Sequence, residues 1–219
     1  MDTIRRAYYD RFAGSLSDWL AYHQRAVVFD QVTWMGVPTQ KNVLDCWIYQ
    51  EILHAVRPDV VVEIGSNTGG STLFLANMLD LLCGGVVVSV DIDRTAYRVT
   101  HPRIVTVTGD SASPEVVGQV RALCAGKRTL VIHDGDHFAT QVAKDLEAYA
   151  PLVSVGSYLI VEDGIVDVTE IGGDYIRPGE GPLVAAEDFL AAFPEFVVDE
   201  ERERYLLTYN PRGYLKRVR

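Results

Sequence analysis

The stretch that decides the fold is DVVVEIGSNTGGST, residues 59–72. A short run of valine and isoleucine leads into a glycine-rich turn, and a helical pattern over 71–83 follows it. Nearly continuous apolar runs of this kind are typical of strands buried on both faces of a parallel sheet. Glycines at such a turn let the backbone approach a ligand closely, and the start of the helix offers free N–H groups. The stretch therefore predicts a strand, a ligand-binding turn and a helix.

The same alternation continues along the chain. Further Val/Ile-rich runs occur at 86–91, 104–108, 129–133 and 155–161, and helical patterns occur at 113–123, 138–150 and 183–192. Strands that alternate with helices predict an α/β fold built on a parallel sheet.

Two strand-like runs close the chain, at 195–199 and 204–209, and only four residues separate them. Parallel neighbours need a crossover of about a dozen residues or more, so this pair is expected to form an antiparallel hairpin. A Rossmann domain that binds dinucleotides ends instead in a parallel strand. We therefore predict the Rossmann-like fold of class I methyltransferases, a seven-stranded and mostly parallel sheet with a C-terminal antiparallel hairpin.

The N-terminal part is predicted to be helical, with an amphipathic helix over 3–26 and a second helix from Val43 to Val56. We expect residues 1–57 to form a helical extension that makes substrate or oligomer contacts, and residues 58–219 to form the methyltransferase domain. The first helix carries Tyr8, Tyr9, Phe12, Trp19 and Tyr22. Either a subunit contact in a homo-oligomer or packing on the chain's own domain explains these aromatics.

Composition excludes several classes of protein. The 219 residues include 30 Asp and Glu against 20 Lys and Arg, for a net charge of −10, and 48 % are hydrophobic. This balance excludes a disordered chain, and the negative charge argues against nucleic-acid binding. Three irregularly spaced cysteines make neither a disulfide framework nor a zinc site. With no apolar run of about 18 residues and no signal-peptide core, we expect a cytoplasmic protein without a membrane partner.

The glycine turn favours S-adenosylmethionine over NAD as the cofactor. Its G-x-x-x-G-G spacing departs from the G-x-G-x-x-G of nicotinamide and flavin binders. Glu63, just before the turn, would attract an amino group or a sulfonium and repel a pyrophosphate. Asp91 ends the second strand, where a carboxylate can accept both ribose hydroxyls, and Asp110 and Ser111 follow the third strand near the adenine. A tight turn without a ligand remains the alternative.

The next two strand ends carry HDGDH at 133–137 and VEDG at 161–164. Because ligands of open α/β sheets bind at the carboxyl ends of the strands, we expect both segments to face one crevice. Asp134, Glu162 and Asp163 would repel one another there unless a cation lay among them, and oxygen ligands suit Mg²⁺ or another hard divalent ion. His137 can take a proton from a hydroxyl. Taken singly, each residue is explained as well by a helix cap or a solvated loop.

Together these residues resemble the cephalosporin hydroxylase and rhamnosyl O-methyltransferase family, metal-dependent class I methyltransferases of natural-product and glycolipid tailoring. The resemblance runs from about Gln40 to Phe193. It is carried by Asp45 with Tyr49-Gln50-Glu51, by 62–71, by Asp134 to His137, by Val161-Glu162-Asp163, and by Gly179, Gly181, Pro182, Ala186, Phe189 and Leu190.

The resemblance implies methyl transfer from S-adenosylmethionine to a hydroxyl of a sugar or small natural-product scaffold in secondary metabolism, including antibiotic biosynthesis. It implies His137 as the general base and Asp134, Glu162 and Asp163 as Mg²⁺ ligands. The cofactor residues it implies are Glu63, Gly65, Ser66, Asn67, Gly69, Ser71, Asp91, Asp110, Ser111 and Asp134. The glycine-rich segment 164–181 would form a mobile lid over the acceptor.

Three alternative functions remain open. The first is a nicotinamide oxidoreductase, which the glycine spacing disfavours. The second is a non-catalytic partner that keeps the cofactor fold for assembly with a hydroxylase. The third is a catechol-type O-methyltransferase acting on aromatic diols, whose usual Asp-Asn pair differs from Glu162-Asp163.

Overall fold

The computed structural model describes residues 13–219, which form a seven-stranded sheet between two layers of helices. The start of the predicted helix 3–26, with Tyr8, Tyr9 and Phe12, lies outside the described residues. The helices are α1 Leu16–Tyr22, α2 Val43–Val56, α3 Gly70–Leu81, α4 Pro114–Cys124, α5 Ala139–Tyr149 and α6 Pro182–Ala192. The strands are β1 Thr33–Trp34, β2 Val37–Pro38, β3 Val60–Ile64, β4 Val86–Asp91, β5 Ile104–Thr108, β6 Thr129–His133, β7 Tyr158–Val161, β8 Phe196–Val198 and β9 Tyr214–Arg217.

The large sheet has the strand order β5-β4-β3-β6-β7-β9-β8. Strands β3 to β7 are parallel, whereas β9 runs antiparallel to both β7 and β8. The predicted fold class, an α/β sheet that is mostly parallel with an antiparallel end, is therefore confirmed.

The position predicted for the last strand is wrong. Residues 204–209 form no strand, Glu200–Glu203 form a 3₁₀ turn, and the strand that pairs with β8 is β9. The connection between β8 and β9 is therefore longer than the four residues from which the hairpin was predicted. The two strands are nevertheless antiparallel, as expected. The apolar run instead splits: Leu206 is 86 % exposed, and Tyr209 is buried and donates its backbone N–H to Asp45.

Alternating side chains of the central strands supply two cores, as a strand period of two residues requires. Val60, Val62 and Ile64 face one layer, which contains α4, α5 and α6. Val61 faces the other layer, which contains α2 and α3. Because both faces are covered, the strands are apolar throughout, which explains why their sequences do not alternate with polar residues.

Buried Asp45 ties α2 to the C-terminal segment. Its carboxylate accepts hydrogen bonds from Thr208 Oγ1 at 2.6 Å, Tyr209 N at 2.8 Å and Tyr214 Oη at 2.8 Å. Asn42, the N-cap of α2, adds a fourth bond of 3.0 Å. Burial raises the pKa of Asp45, and these four hydrogen bonds oppose the shift. Helix α2 and residues 208–214 are thereby joined, although they lie far apart in the sequence.

Residues 16–28 pack against residues 164–181, the segment predicted to be a lid. Helix α1 continues as a π-helical turn, His23–Val28, and Leu20 and Val28 pack against Ile165, Val166 and Ile171. The segment 164–181 contains two 3₁₀ turns, Gly164–Asp167 and Glu170–Gly172. Asp167 fastens this segment, because its carboxylate accepts the backbone N–H groups of Gly179, Gly181 and Leu183. Within residues 13–219, no helix combines the length and the apolar character needed to cross a bilayer.

Gly65 is needed where β3 meets the end of β6. Its φ is +83°, and a Cβ there would overlap the carbonyl group of Asp134. We predict that Gly65→Ala lowers the free energy of unfolding by at least about 2 kcal/mol, measured by urea denaturation. Gly118→Ala is the matched control, since an added Cβ on the exposed face of α4 meets nothing within 4 Å, and a gain of about 0.5–1 kcal/mol is expected. Equal stability of the two variants would contradict this account.

Candidate active site

A cavity of about 920 Å³ lies at the carboxyl edge of the parallel strands. The glycine turn, the ends of β4, β5 and β6 and the segment after β7 line it. The sequence-predicted residues that line this cavity are Gly65, Ser66, Asn67, Ser71, Asp91, Asp110, Ser111, Asp134, His137 and Asp163. Three other predicted residues, Glu63, Gly69 and Glu162, do not line it.

The glycine turn has the backbone geometry that its sequence predicts. Gly65, Asn67 and Gly69 all have positive φ, of +83°, +44° and +92°. Gly69 is the N-cap of α3, and no side chain caps this helix. The first N–H groups of α3 are therefore available to a polar or anionic ligand group at the cavity.

Asp91 is bound to the turn it follows. Its carboxylate accepts the backbone N–H groups of Ser66 at 2.8 Å, Asn67 at 2.9 Å and Asp93 at 3.1 Å. Partial burial works to raise the pKa of Asp91, but these hydrogen bonds and nearby Arg94 outweigh it, so the pKa lies below its usual value. Asp91 is consequently an ionised hydrogen-bond acceptor at the cavity wall.

Arg94, which the sequence analysis missed, locks the ends of β4 and β5 behind Asp91. Its guanidinium donates to Ser66 Oγ at 2.6 Å, to the Ser89 carbonyl at 2.5 Å and to the Val107 carbonyl at 2.9 Å. No sequence pattern distinguishes this arginine from a solvated one.

Glu63 lies beneath the turn instead of facing the cavity. Its side chain is buried and accepts a hydrogen bond from Thr72 Oγ1. Burial raises the pKa of Glu63, and the positive charge of Lys41 opposes this shift. This placement does not support the predicted direct contact between Glu63 and the cationic groups of a cofactor.

Asp134, His137 and Asp163 converge at the other side of the cavity. One potential ligand atom from each lies within 4.8 Å of the other two. His137 Nε2 and Asp163 Oδ2 are 2.8 Å apart. Burial works to lower the pKa of His137, but the hydrogen bond and charge of Asp163, with the charge of Asp134, raise it to about 9. In this arrangement the imidazole carries a proton at neutral pH.

Asp163 is held in a left-handed backbone conformation, with φ of +59°. Its N–H donates to Asn210 Oδ1 at 3.1 Å, and Asn210 Nδ2 donates to Tyr49 Oη at 2.7 Å. Asn210 follows the residues that Asp45 anchors, so the position of Asp163 is coupled to helix α2. The sequence analysis missed Asn210.

Lys41 is the third functional residue that was not predicted from the sequence. Its Nζ forms ion pairs with Asp134 and, at 2.6 Å, with Glu162 Oε2. The lysine side chain is 6 % exposed. Burial works to lower the pKa of Lys41, but Asp134, Glu162 and Glu63 together raise it well above its usual value. The predicted cluster of carboxylates requires a cation among them, and the ammonium of Lys41 supplies one.

This pairing changes the donor set available to a metal ion. The group of donors brought together is Asp134, His137 and Asp163, whereas Glu162 lies deeper and faces Lys41. Its second oxygen, Oε1, is buried and has no hydrogen-bond partner within residues 13–219. Two aspartate carboxylates suit a hard divalent cation, so the residues present fit Mg²⁺ in part, whereas Glu162 lies outside this group of donors.

Comparison with known proteins identifies the family. The model of the family described as Rhamnosyl O-methyltransferase/CmcI matches residues 26–218. The rhamnosyl O-methyltransferase of Mycobacterium leprae (strain TN) is 36 % identical over 200 residues, which cover 87 % of this chain and 85 % of the relative. That of Mycobacterium tuberculosis (strain H37Rv) is 32 % identical, with 99 % of this chain and 86 % of the relative covered.

Solved structures share the fold. CmcI with Mg and SAM superposes with a TM-score of 0.67 at 22 % identity, over 87 % of this chain and 78 % of CmcI. An O-methyltransferase from Bacillus cereus in complex with SAH has a TM-score of 0.55 at 15 % identity, over 89 % of this chain and 88 % of that enzyme. The class I methyltransferase fold and the resemblance found in the sequence are thus confirmed, and the chain belongs to the rhamnosyl O-methyltransferase/CmcI family.

Proposed function

We propose that this protein is an S-adenosylmethionine-dependent O-methyltransferase that acts on a hydroxyl of a sugar or small natural-product scaffold, with a hard divalent cation, in secondary metabolism. One observation carries the proposal: a single cavity contains both the glycine turn with Asp91 and the cluster of Asp134, His137 and Asp163. Family membership supports methyl transfer to oxygen, and the relatives named above support a sugar acceptor.

The cofactor would lie along the glycine turn. Asp91 offers an ionised carboxylate for the ribose hydroxyls, and Asp110 and Ser111 line the cavity where the adenine is expected. The free N–H groups at the start of α3 would bind the carboxylate of the methionine part. Glu63 would act on this end of the cofactor only from beneath the turn.

A divalent cation would be held by Asp134 and Asp163, with Glu162 Oε1 as a third oxygen donor. Such an ion lowers the pKa of a hydroxyl that binds to it and fixes the direction of that hydroxyl. Lys41 keeps Asp134 and Glu162 close together against their mutual repulsion. Before the divalent cation binds, the same ion pairs would reduce the electrostatic cost of burying two carboxylates.

His137 would remove the proton from the acceptor hydroxyl. A base must be neutral, and the charges of Asp163 and Asp134 keep the ring protonated in the present arrangement. A cation shared by these two carboxylates would reduce their attraction for that proton. The acceptor oxygen would then attack the methyl carbon, forming the new C–O bond as the C–S bond breaks and S-adenosylhomocysteine leaves. Alignment of the two reactants would supply much of the rate.

Family membership sets aside the nicotinamide oxidoreductase. A non-catalytic partner and a catechol-type O-methyltransferase remain the alternative functions, and methyl transfer assays on hydroxylated acceptors distinguish them. We also propose, as expected from the sequence, that residues 1–57 provide acceptor or subunit contacts in a homo-oligomer.

Replacing the proposed base tests the mechanism. We predict that His137→Ala lowers the rate of methyl transfer to a panel of glycosides by about 10²- to 10⁴-fold, because the variant lacks the proposed general base. Binding of S-adenosylmethionine, measured by calorimetry, should be unchanged. His54→Ala, on the exposed side of α2, is the control and should keep full activity. Wild-type rates in His137→Ala would show that the base is assigned wrongly.

Metal binding can be measured without turnover. We predict that Mg²⁺ at a hundred times its dissociation constant stabilises the wild-type protein by about 2.7 kcal/mol. Asp163→Asn should lose most of this gain in thermal unfolding, whereas Asp188→Asn, on the exposed face of α6, should keep it. A chelator should abolish methyl transfer, and full activity in its presence would refute the metal requirement.

Lys41 should matter most when no divalent cation is present. We predict that Lys41→Met lowers the free energy of unfolding by about 3–5 kcal/mol in a chelator, because Asp134 and Glu162 lose their buried partner. Added Mg²⁺ should recover part of this loss. Lys127→Met, at an exposed position, is the control. An equal loss with and without Mg²⁺ would mean that the lysine and the metal do not share these carboxylates.

A further inference from the structure

The cavity has a second wall that the proposed chemistry does not use. It consists of Gln24 and Val28 from the π-helical turn, Phe29 directly after that turn, and Ile171, Tyr175 and Ile176 from the segment after β7. The ring of Tyr175 lies edge-on to that of His137, with 6.2 Å between their centroids. This wall therefore borders the proposed base, where an acceptor has to bind.

Gln24 is the one strongly polar group among these six. The residue is 7 % exposed, and its side-chain Oε1 is buried without a hydrogen-bond partner within residues 13–219. Gln24 lines the cavity, and a buried polar atom that lacks a partner costs about 1–3 kcal/mol, so a ligand donor that reached Oε1 from the cavity would relieve this cost. An amide oxygen accepts a hydrogen bond from a hydroxyl or an N–H group.

The π-helical turn keeps Gln24 in place. The backbone carbonyl oxygen of Gln24 accepts the N–H of Phe29 at 3.1 Å, which is the wide hydrogen bond of a π turn. The preceding residue, His23, stacks on Trp19, and its Nδ1 lies 2.8 Å from Tyr209 Oη. Single π turns of this kind occur frequently at functional sites.

Charges around the cavity restrict what can bind beside Gln24. Neither lysine nor arginine lines the cavity among the described residues, and His137 is its only basic lining residue there. Six carboxylates do line it: Asp91, Asp93, Asp110, Asp134, Asp136 and Asp163. Six carboxylates against one imidazolium leave this cavity with an excess of negative charge, which disfavours a phosphate or diphosphate group beside Gln24. An uncharged molecule with hydroxyls on one edge and an apolar edge toward Val28 and Ile176 suits the wall.

We propose that Gln24 is a specificity-determining residue whose Oε1 accepts a hydrogen bond from a hydroxyl of the acceptor, and that the wall around it selects an uncharged glycoside. The inference rests on the proposed function of the cavity, since it assigns the acceptor side of the same site. Gln24 takes no part in the methyl transfer itself.

The test compares Gln24→Leu with wild-type protein, using octyl α-L-rhamnoside and its singly deoxygenated analogues as probes. Calorimetry with S-adenosylhomocysteine present should show about tenfold weaker binding of the rhamnoside to the variant. In turnover assays KM should rise by a similar factor with little change in kcat. Binding of S-adenosylhomocysteine itself should stay the same.

The deoxygenated analogues identify the hydroxyl that contacts Gln24. One of them should bind wild-type protein about tenfold more weakly than the parent but bind Gln24→Leu as well as the parent does. Gln24→Asn, which keeps the amide but retracts it, should resemble Gln24→Leu in affinity. Gln119→Leu, on the exposed face of α4, serves as the control.

Thermal unfolding separates a ligand contact from a structural one. Because Gln24 Oε1 has no partner in the described chain, Gln24→Leu should be at least as stable as wild type. A destabilised variant would show that the amide supports the fold, and unchanged rhamnoside affinity would also overturn the proposal. Tighter binding of a nucleoside-diphosphate-linked rhamnose than of octyl rhamnoside would overturn the preference for an uncharged acceptor.

The outcomes also distinguish this inference from the proposed function. Wild-type protein that binds the rhamnoside but transfers no methyl group would refute the proposed function, while the effect of Gln24→Leu on binding would still support the subsite. Methyl transfer with equal KM in both proteins would refute the subsite alone. Absence of rhamnoside binding to wild-type protein would overturn the inference.

Discussion

The ion pairs of Lys41 with Asp134 and Glu162 are the interaction on which the site depends. Parallel strands end at one edge of the sheet, so a sequence with acidic residues after β6 and β7 concentrates negative charge there. Taking such charges out of water is costly unless an opposite charge is close. Lys41 supplies that charge from the segment between β2 and α2, and this segment is thereby part of the site.

A second buried network, made of hydrogen bonds, connects α2 to the residues proposed to react. Asp45 anchors Thr208 and Tyr209, and the next residue, Asn210, holds the N–H of Asp163. The carboxylate that orients His137 is therefore positioned by residues that are more than 150 positions apart in the chain. Such a network fixes the orientation of Asp163 relative to His137 more firmly than a loop could, because each buried polar atom in it has a defined partner.

Much of the fold was predictable because it depends on local patterns. The valine-rich strands and the amphipathic helices differ from the observed elements mainly at their ends, and the helix Val43–Val56 has the predicted bounds. The last strand was misplaced because residues 204–209 have an apolar composition that suits a strand equally well. What decided against a strand there was Asp45, which binds Thr208 and Tyr209 from another part of the chain.

The fold class, the glycine turn and the strand-end residues that meet in one cavity follow from the amino-acid sequence, since the period of apolar residues and the order of the strands place them. Which side chains face that cavity depends on the folded chain. Folding turned Glu63 and Glu162 inward, toward Lys41, brought Asn210 to Asp163, and left Gln24 Oε1 without a hydrogen-bond partner within residues 13–219. The role of a single polar residue depends on the partners that burial leaves to it, and no local sequence pattern records them.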